Sequence, residues 1–415
     1  MTKWQEVKLG DVCDVKGGKR LPKGINLITT RNTHPYIRVR DLGQNKILQL
    51  NPNYEYVDDD TQKIIAHYTV SENDVLISIV GTIGLIGIVG NSLNNANLTE
   101  NCVKLLNLRG IDKDFLYYFL MSQAGQDEIK QGTVGAVQAK LPIKNIQAIN
   151  IHLPPLEIQK KIAGVLGALD DKIELNNKIN NNLEQQAQAL YNEKIVNNSK
   201  QGCIGDYCSI KSGFAFKSSW WQNTGVRVIK IKNIEPSGLN LQECSFVSED
   251  KVSIAKEFIV KGGDLLIAMT GATIGKFAIV PHVDEILLVN QRVGKFFLGD
   301  NPLEKLPFIY CTLKQPEVVS EIINRGQGSA QPNISGNDIM SITCNYPDEN
   351  IIAGFNNICR PYFEKIITNQ YENTRLAVIR DALLPKLMSG EIDVSNVDIS
   401  ALTSTDKLSF TEENK

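Results

Sequence analysis

The sequence predicts an α+β protein: two tandem globular α+β units, each followed by a long helix, with the two helices pairing as an antiparallel coiled coil. Three observations lead there. A proline-free run of about forty residues follows Leu153-Pro154-Pro155-Leu156, and a second long helical pattern stands near the C-terminus. The segments ahead of the two runs repeat one another at a spacing of roughly 190 to 195 residues. Those segments are patterned mostly as short strands. The resulting boundaries are a first globular unit over 1–155, a helical spacer over 156–196, a second globular unit over 197–348, a second helical spacer over 349–390 and a polar tail over 391–415.

The repeat is legible residue by residue. Leu9-Gly10-Asp11 matches Ile204-Gly205-Asp206, and Asp74-Val75-Leu76-Ile77 followed by Gly81 matches Asp264-Leu265-Leu266-Ile267 followed by Gly271. Further on, Gly135, Gln138, Leu141 and Ile146 match Gly328, Gln331, Ile334 and Ile339. From Tyr36 to Leu42 apolar and basic residues alternate, which puts Ile37 and Val39 on one face of a strand and Arg38 and Arg40 on the other. Val228 to Ile234 repeats the alternation, with Lys230 and Lys232 outward. Val75 to Val80 and Leu265 to Met269 read as buried strands ending at glycine turns, and Phe115 to Lys130 and Phe308 to Asn324 as helices. The tail from Ser395 is polar and is expected to fray.

At ~1.5 Å per residue the first proline-free run makes a rod roughly 60 Å long. Its seam passes through Ile162, Leu166, Leu169, Ile173, Asn176, Asn180, Leu183, Ala187 and Leu190. The second passes through Phe355, Ile358, Tyr362, Ile366, Asn369, Asn373, Leu376 and Leu383. Rods this polar are marginal alone, so each needs a partner, and the simplest partner is the other rod. Two readings of the asparagines stay open: they face solvent, or they sit in the seam, where a polar residue costs stability but fixes register. The seam reading assigns helix pairing to Ile173, Asn176, Asn180, Leu183, Ile366, Asn369, Asn373 and Leu376. The pair is expected to be antiparallel because each rod follows its own globular unit.

Composition narrows the function. The 415 residues provide for two or three domains, and 42% apolar with 22% charged residues is an ordinary soluble balance. No leader-like segment opens the chain and no window reaches about 18 apolar residues, so a cytoplasmic protein without membrane association is expected. The eight cysteines have no C-x-x-C spacing and the four histidines form no H-x₃-H pair, which argues against a zinc site or a disulfide framework. Cys13 and Cys208, at matching places, suit small buried residues. With a net charge of -2, any nucleic-acid role must rest on local patches.

Such patches exist. Between Val15 and Arg40 stand Lys16, Lys19, Arg20, Lys23, Arg31, Arg38 and Arg40 without an acid; between Tyr207 and Ile234 stand Lys211, Lys217, Arg227, Lys230 and Lys232, again without one. The second stretch interleaves Phe214, Phe216, Trp220 and Trp221. Two solvated faces would account for either patch alone. Their recurrence at equivalent places favours a nucleic acid, with loop cations Lys19, Arg20, Lys23 and Lys217 suited to phosphates and Arg38, Arg40, Lys230 and Lys232 to phosphates or base edges. Gln138 and Gln331, in matching loops, are candidates for DNA contact or for satisfying their own backbone.

The glycine turns Gly81-Thr82-Ile83-Gly84 and Gly271-Ala272-Thr273-Ile274-Gly275-Lys276 fit neither a P-loop nor G-x-G-x-x-G. Each is either a tight turn or a phosphate cradle in which Thr82 or Thr273 takes part. Catalytic motifs are missing: there is no N-P-P-[YF], H-E-x-x-H or G-x-S-x-G, and the E-x-K of Glu128 and Lys130 lies in an amphipathic helix. The chain reads as non-catalytic.

Taken together, the residues resemble the specificity subunits of type I restriction–modification systems. The resemblance covers nearly the whole chain. It rests on Gly17-Gly18-Lys19-Arg20-Leu21-Pro22-Lys23-Gly24, Tyr36-Ile37-Arg38-Val39-Arg40-Asp41, Pro154-Pro155-Leu156-Glu157-Ile158-Gln159, Ser212-Gly213-Phe214-Ala215-Phe216-Lys217-Ser218 and Leu383-Leu384-Pro385-Lys386-Leu387-Met388-Ser389-Gly390-Glu391. Asn345-Tyr346-Pro347-Asp348-Glu349 departs from the pattern, with one proline and no glutamine ahead of the second rod. The resemblance implies two target-recognition domains that read one half each of a split, asymmetric DNA target. It also implies docking of DNA adenine methyltransferase subunits and of restriction/translocase subunits. No cofactor is implied in this chain; S-adenosylmethionine and ATP with Mg belong to those partners. The alternative is a protein-bridging scaffold without DNA specificity, and salt dependence of DNA binding separates the two.

Overall fold

The computed structural model describes residues 4–43, 45–135, 138–198, 200–235, 238–326 and 332–398. The chain divides into two compact units: the residues up to Asp171 with those from Leu376 onward, and Lys172–Arg375. The two rods are single helices, Leu156–Lys194 and Glu349–Met388.

In the first unit, Gln5–Lys8 pairs antiparallel with Asn150–Leu153, Gln5 standing opposite Leu153, so the chain enters and leaves the domain on one clasp. Inside it, a five-stranded sheet runs in the order Asp14–Gly17, Cys102–Leu106, Val75–Ser78, Ile86–Val89, Ile47–Leu48. A three-stranded sheet has Pro35–Ile37 between Glu55–Tyr56 and Asn97–Leu98. The core lies under the larger sheet, where Val75, Ile77, Val103 and Leu105 meet Phe115, Leu116 and Phe119. Ile162 and Leu166 of the first rod and Leu387 of the second complete it.

The helix expected over Phe115 to Lys130 is two helices, Lys113–Met121 and Gln123–Gly132. Ser122 breaks the run because its hydroxyl caps the second helix, accepting from the Gly125 amide at 3.3 Å. Gly125 is required at this corner, since a Cβ there would stand 2.1 Å from the Phe119 carbonyl oxygen.

The second unit repeats the plan. Its clasp is Gln201–Cys203 against Thr343–Asn345. A four-stranded antiparallel sheet runs Ser209–Ser212, Val293–Phe297, Leu265–Ala268, Phe277–Ile279, the same order as the first four strands of the first unit's larger sheet. The second sheet holds Val226–Ile229 between Ser245–Val247 and Leu287–Val289. The matching helical run divides into Leu306–Leu313 and Pro316–Gly326, because Pro316 has no N–H with which to continue the first helix.

The rods run antiparallel, and in the second unit their seam is polar at its centre. Asn369 Nδ2 donates to Asn180 Oδ1 at 2.8 Å. Asn176 Nδ2 donates to Asn373 Oδ1 and to Glu372 Oε2, both at 2.9 Å, and Asn373 Nδ2 donates to Asn177 Oδ1 at 2.8 Å. Asn176 and Asn369 are fully buried, as is Ile366, while Ile173 and Leu183 are half-buried. In the first unit Arg380 Nη1 donates to Asp170 Oδ1 at 2.7 Å, and Tyr118 of the globular part donates to Asp170 Oδ2 at 2.6 Å; Leu376 is half-buried.

The seam differs from the expected heptad where the second rod meets its globular domain. Ile358 is 46% exposed, whereas Phe355, Cys359, Phe363 and Ile367 are buried. Here the rod presents a face at i, i+4, i+8 to the domain core as well as a stripe to its partner, so the buried face is wider than a two-helix seam. The helix also runs through Pro361, which lies on the exposed side, so the carbonyl deprived of its donor there faces water.

Each rod is latched to its domain by a buried amide. Gln159 Nε2 donates to the carbonyls of Pro154 at 2.8 Å and Gly110 at 3.0 Å, and its Oε1 accepts from the Asp112 amide at 2.8 Å. In the second unit Asn356 Oδ1 accepts from the Phe308 amide and its Nδ2 donates to Tyr207 Oη, both at 2.9 Å.

Candidate nucleic-acid interface

The basic loop of the first unit is set by one glycine. Gly18 follows the strand Asp14–Gly17 and lies so close to the neighbouring strand that a Cβ would meet the Thr99 carbonyl oxygen at 2.1 Å. The Gly18 amide donates to Cys102 O at 3.0 Å and the Lys19 amide to Leu98 O at 2.8 Å, after which the chain turns outward with Lys19, Arg20 and Lys23 exposed. Tyr36 Oη donates to the Lys19 carbonyl at 2.8 Å and ties the loop to the strand that leads to Arg38. Arg20 pairs with Glu100 at 2.7 Å, Lys19 Nζ lies 5.4 Å from the Tyr68 ring centre, and Lys23 has no ion pair among the described residues.

Arg38 and Arg40 do not lie on an outward strand face. The strand is Pro35–Ile37 and stops there; Val39–Asp41 is a 3-10 turn. The alternation Ile-Arg-Val-Arg has the period of a strand, but the Asp41 carboxylate accepts from the Arg38 amide at 2.7 Å and closes the turn. Both guanidiniums then converge on one oxygen. Arg38 Nη2 and Arg40 Nη2 pair with Glu55 Oε2, the latter at 2.9 Å, and Arg40 Nη2 also donates to the Asn53 carbonyl at 3.1 Å. Burial pushes the Asp41 carboxyl up to about 6, against the pull of Arg40 and with the help of Glu55.

The second unit has the same turn with different chemistry. Gly213 makes the close approach, 2.4 Å from Val289 O to an added Cβ, and Lys217 follows it exposed, with Nζ 5.5 Å from the Trp220 ring centre. Lys230 and Lys232, expected on a strand, flank and occupy the 3-10 turn Ile231–Asn233, closed by Asn233 Oδ1 accepting from the Lys230 amide at 2.9 Å. Lys230 Nζ sits 3.5 Å from the Trp221 ring centre, and burial, then the neighbouring Lys232, draw its pKa down. Lys232 reaches Glu243 at 3.7 Å.

The glycine turns hold Thr82 exposed, with its carbonyl accepting from Ser78 Oγ at 2.6 Å, and Thr273 half-buried, with its Oγ1 donating to Thr270 O at 3.1 Å. The Val80–Lys140 bridge brings the loop of Gln138 to the Thr82 turn, and Gln138 is exposed. Gln331 lies outside the described residues, as does the tail beyond Asp398.

Sequence reasoning missed the acids. Glu55 and Glu100 are remote in sequence from the basic run and reach it only through strand pairing, Tyr36 lying opposite Glu55, so no local pattern signals them. Glu128, weighed above as part of an E-x-K, accepts from the Asn150 amide at 3.0 Å and serves the fold. Among the described residues no three His, Cys, Asp or Glu side chains gather to hold a metal ion, and no helix is long and apolar enough to cross a membrane. Burial raises the Cys13, Cys102, Cys208, Cys344 and Cys359 thiols to about 12, away from thiolate chemistry.

The family described as the type I restriction modification DNA specificity domain matches this chain twice, over residues 1–185 and 197–359. The MjaIX type I restriction enzyme specificity subunit of Methanocaldococcus jannaschii is 24% identical, over 95% of this chain and 94% of its own. The HindI specificity subunit of Haemophilus influenzae is likewise 24% identical, over 94% of this chain and 100% of its own. In fold, the chain is similar to the crystal structure of a type I restriction–modification S subunit from M. genitalium, with a TM-score of 0.53, 19% identity, and 92% and 96% of the two chains covered.

Proposed function

The chain belongs to the DNA specificity family of type I restriction–modification systems, and from that premise we propose that its two globular units each read one half of a split, asymmetric DNA target. One observation supports this above others. The same glycine-seated basic loop and the same capped turn recur in both units, Gly18 with Lys19, Arg20, Arg38 and Arg40 in one, Gly213 with Lys217, Lys230 and Lys232 in the other. Two copies of one cationic device in one chain are what a reader of two half-sites requires.

In this reading the subunit is non-catalytic and acts in the cytoplasm. Loop cations hold phosphates, and turn cations stand at the groove. DNA adenine methyltransferase subunits and restriction/translocase subunits dock on the chain. S-adenosylmethionine and ATP with Mg are bound by those partners, which also carry out base extrusion and methyl transfer.

The test is methylation mapping. The chain is co-expressed with the adenine methyltransferase encoded beside it, and host DNA is sequenced for modified bases. A split motif that needs both proteins is the expected result. An active, bound methyltransferase that leaves no such motif would replace this reading by that of a protein-bridging scaffold.

A further inference from the structure

We propose that Glu55 is the positioning residue of the first unit's reading surface: it holds the Arg38 and Arg40 guanidiniums on one oxygen, where the second unit carries Lys230 on an aromatic face and Lys232 separately on Glu243. This rests on the DNA-reading role proposed above and adds a division of labour between the units.

The two units superpose this position through their strand pairing. Glu55 lies opposite Tyr36, two residues before Arg38, and Ser245 lies opposite Val228, two residues before Lys230. At one structural place, then, the first unit has a carboxylate and the second a hydroxyl. Arg40 is fixed on Glu55 Oε2 and the Asn53 carbonyl, with its Nε 3.7 Å from Asp41 Oδ1, yet 54% of its side chain is exposed. Arg38, 28% exposed, is paired with the same Glu55 oxygen. Two cations sharing Glu55 beside Asp41 contribute little net positive charge, so attraction of phosphates is a weak account of them. A guanidinium with its plane fixed and free donors facing out is instead what bidentate reading of a guanine edge requires. Lys230 has no carboxylate partner among the described residues, and its ammonium, a point charge on a flexible stem, suits a phosphate.

The experiment measures Glu55→Gln in the full chain with its methyltransferase partner. The probes are a duplex carrying the mapped target, the same duplex with either half scrambled, and a duplex of mixed sequence, each across a salt series. The variant is expected to lose roughly 10-fold in discrimination at the first half-site, the scale of one bidentate base contact. Binding to mixed-sequence DNA should tighten, and its log–log salt slope should steepen by about one as a freed arginine finds a phosphate. Discrimination at the second half-site should stay as in the wild type, and Glu55→Asp should restore the first in part. Unchanged discrimination and slope, or equal losses at both half-sites, would overturn the assignment. A wild-type complex that does not distinguish target from scrambled duplexes would instead overturn the DNA-reading role itself.

Discussion

Asn369→Ala tests the polar centre of the rod pair. Asn369 is fully buried and its Nδ2 donates at 2.8 Å to Oδ1 of Asn180, which is 7% exposed. Alanine leaves the buried Asn180 oxygen without its donor, a cost of ~1–3 kcal/mol. That loss is read as a fall in the urea midpoint of the full chain. Asn180→Ala should cost a similar amount, and the double alanine variant less than the sum, because the second truncation removes a group already orphaned. The pair Asn180→Leu with Asn369→Leu should recover or exceed wild-type stability, since both polar groups go and apolar area is buried in their place. If Asn369→Ala costs under ~0.5 kcal/mol, or if the two alanine changes are additive, the asparagines are solvated and the register argument falls.

Asp41→Asn should stabilise the first unit at neutral pH. Burial lifts the Asp41 carboxyl from 3.8 to about 6, so the folded protein holds a proton that the unfolded chain releases, and stability falls as pH rises between those values. Asparagine still caps the turn, as Asn233 does in the second unit. The gain should be ~1–3 kcal/mol above pH 6 and close as pH falls toward 4, which thermal melts at pH 4, 5 and 8 would show. Gln159→Ala should cost ~3 kcal/mol in a urea titration, because one fully buried amide satisfies three backbone groups; Gln159→Glu, which keeps the acceptor but loses both donors, should be no better.

The repeat and the rods were readable in the sequence because they rest on local spacing. Glycines with little room for a side chain, such as Gly10 and Gly205, recur at matching places, and a long polar helix advertises its need for a partner. The orientation of Arg38 and Arg40 was not readable, because alternation of apolar and basic residues is equally consistent with a strand and with a strand that ends in a capped turn; Asp41 decides between them. Ile358 was misplaced for a related reason. A heptad assumes one partner, and this stretch of rod has two. Sheet order and the Glu55 contact depend on pairings dozens of residues apart, to which periodicity is blind.

The clasps have a consequence for how such a chain changes over generations. Gln5 faces Leu153 and Gln201 faces Asn345, so each globular domain starts and finishes at a single spot. A foreign domain with a matching clasp and a matching set of residues against the rod could be spliced in by two crossovers at that spot, with nothing rethreaded. On the reading proposed above, one recombination event would then exchange half of a target while the other half stayed as it was. Novelty would come by cassette, faster than point changes in a packed sheet could supply it.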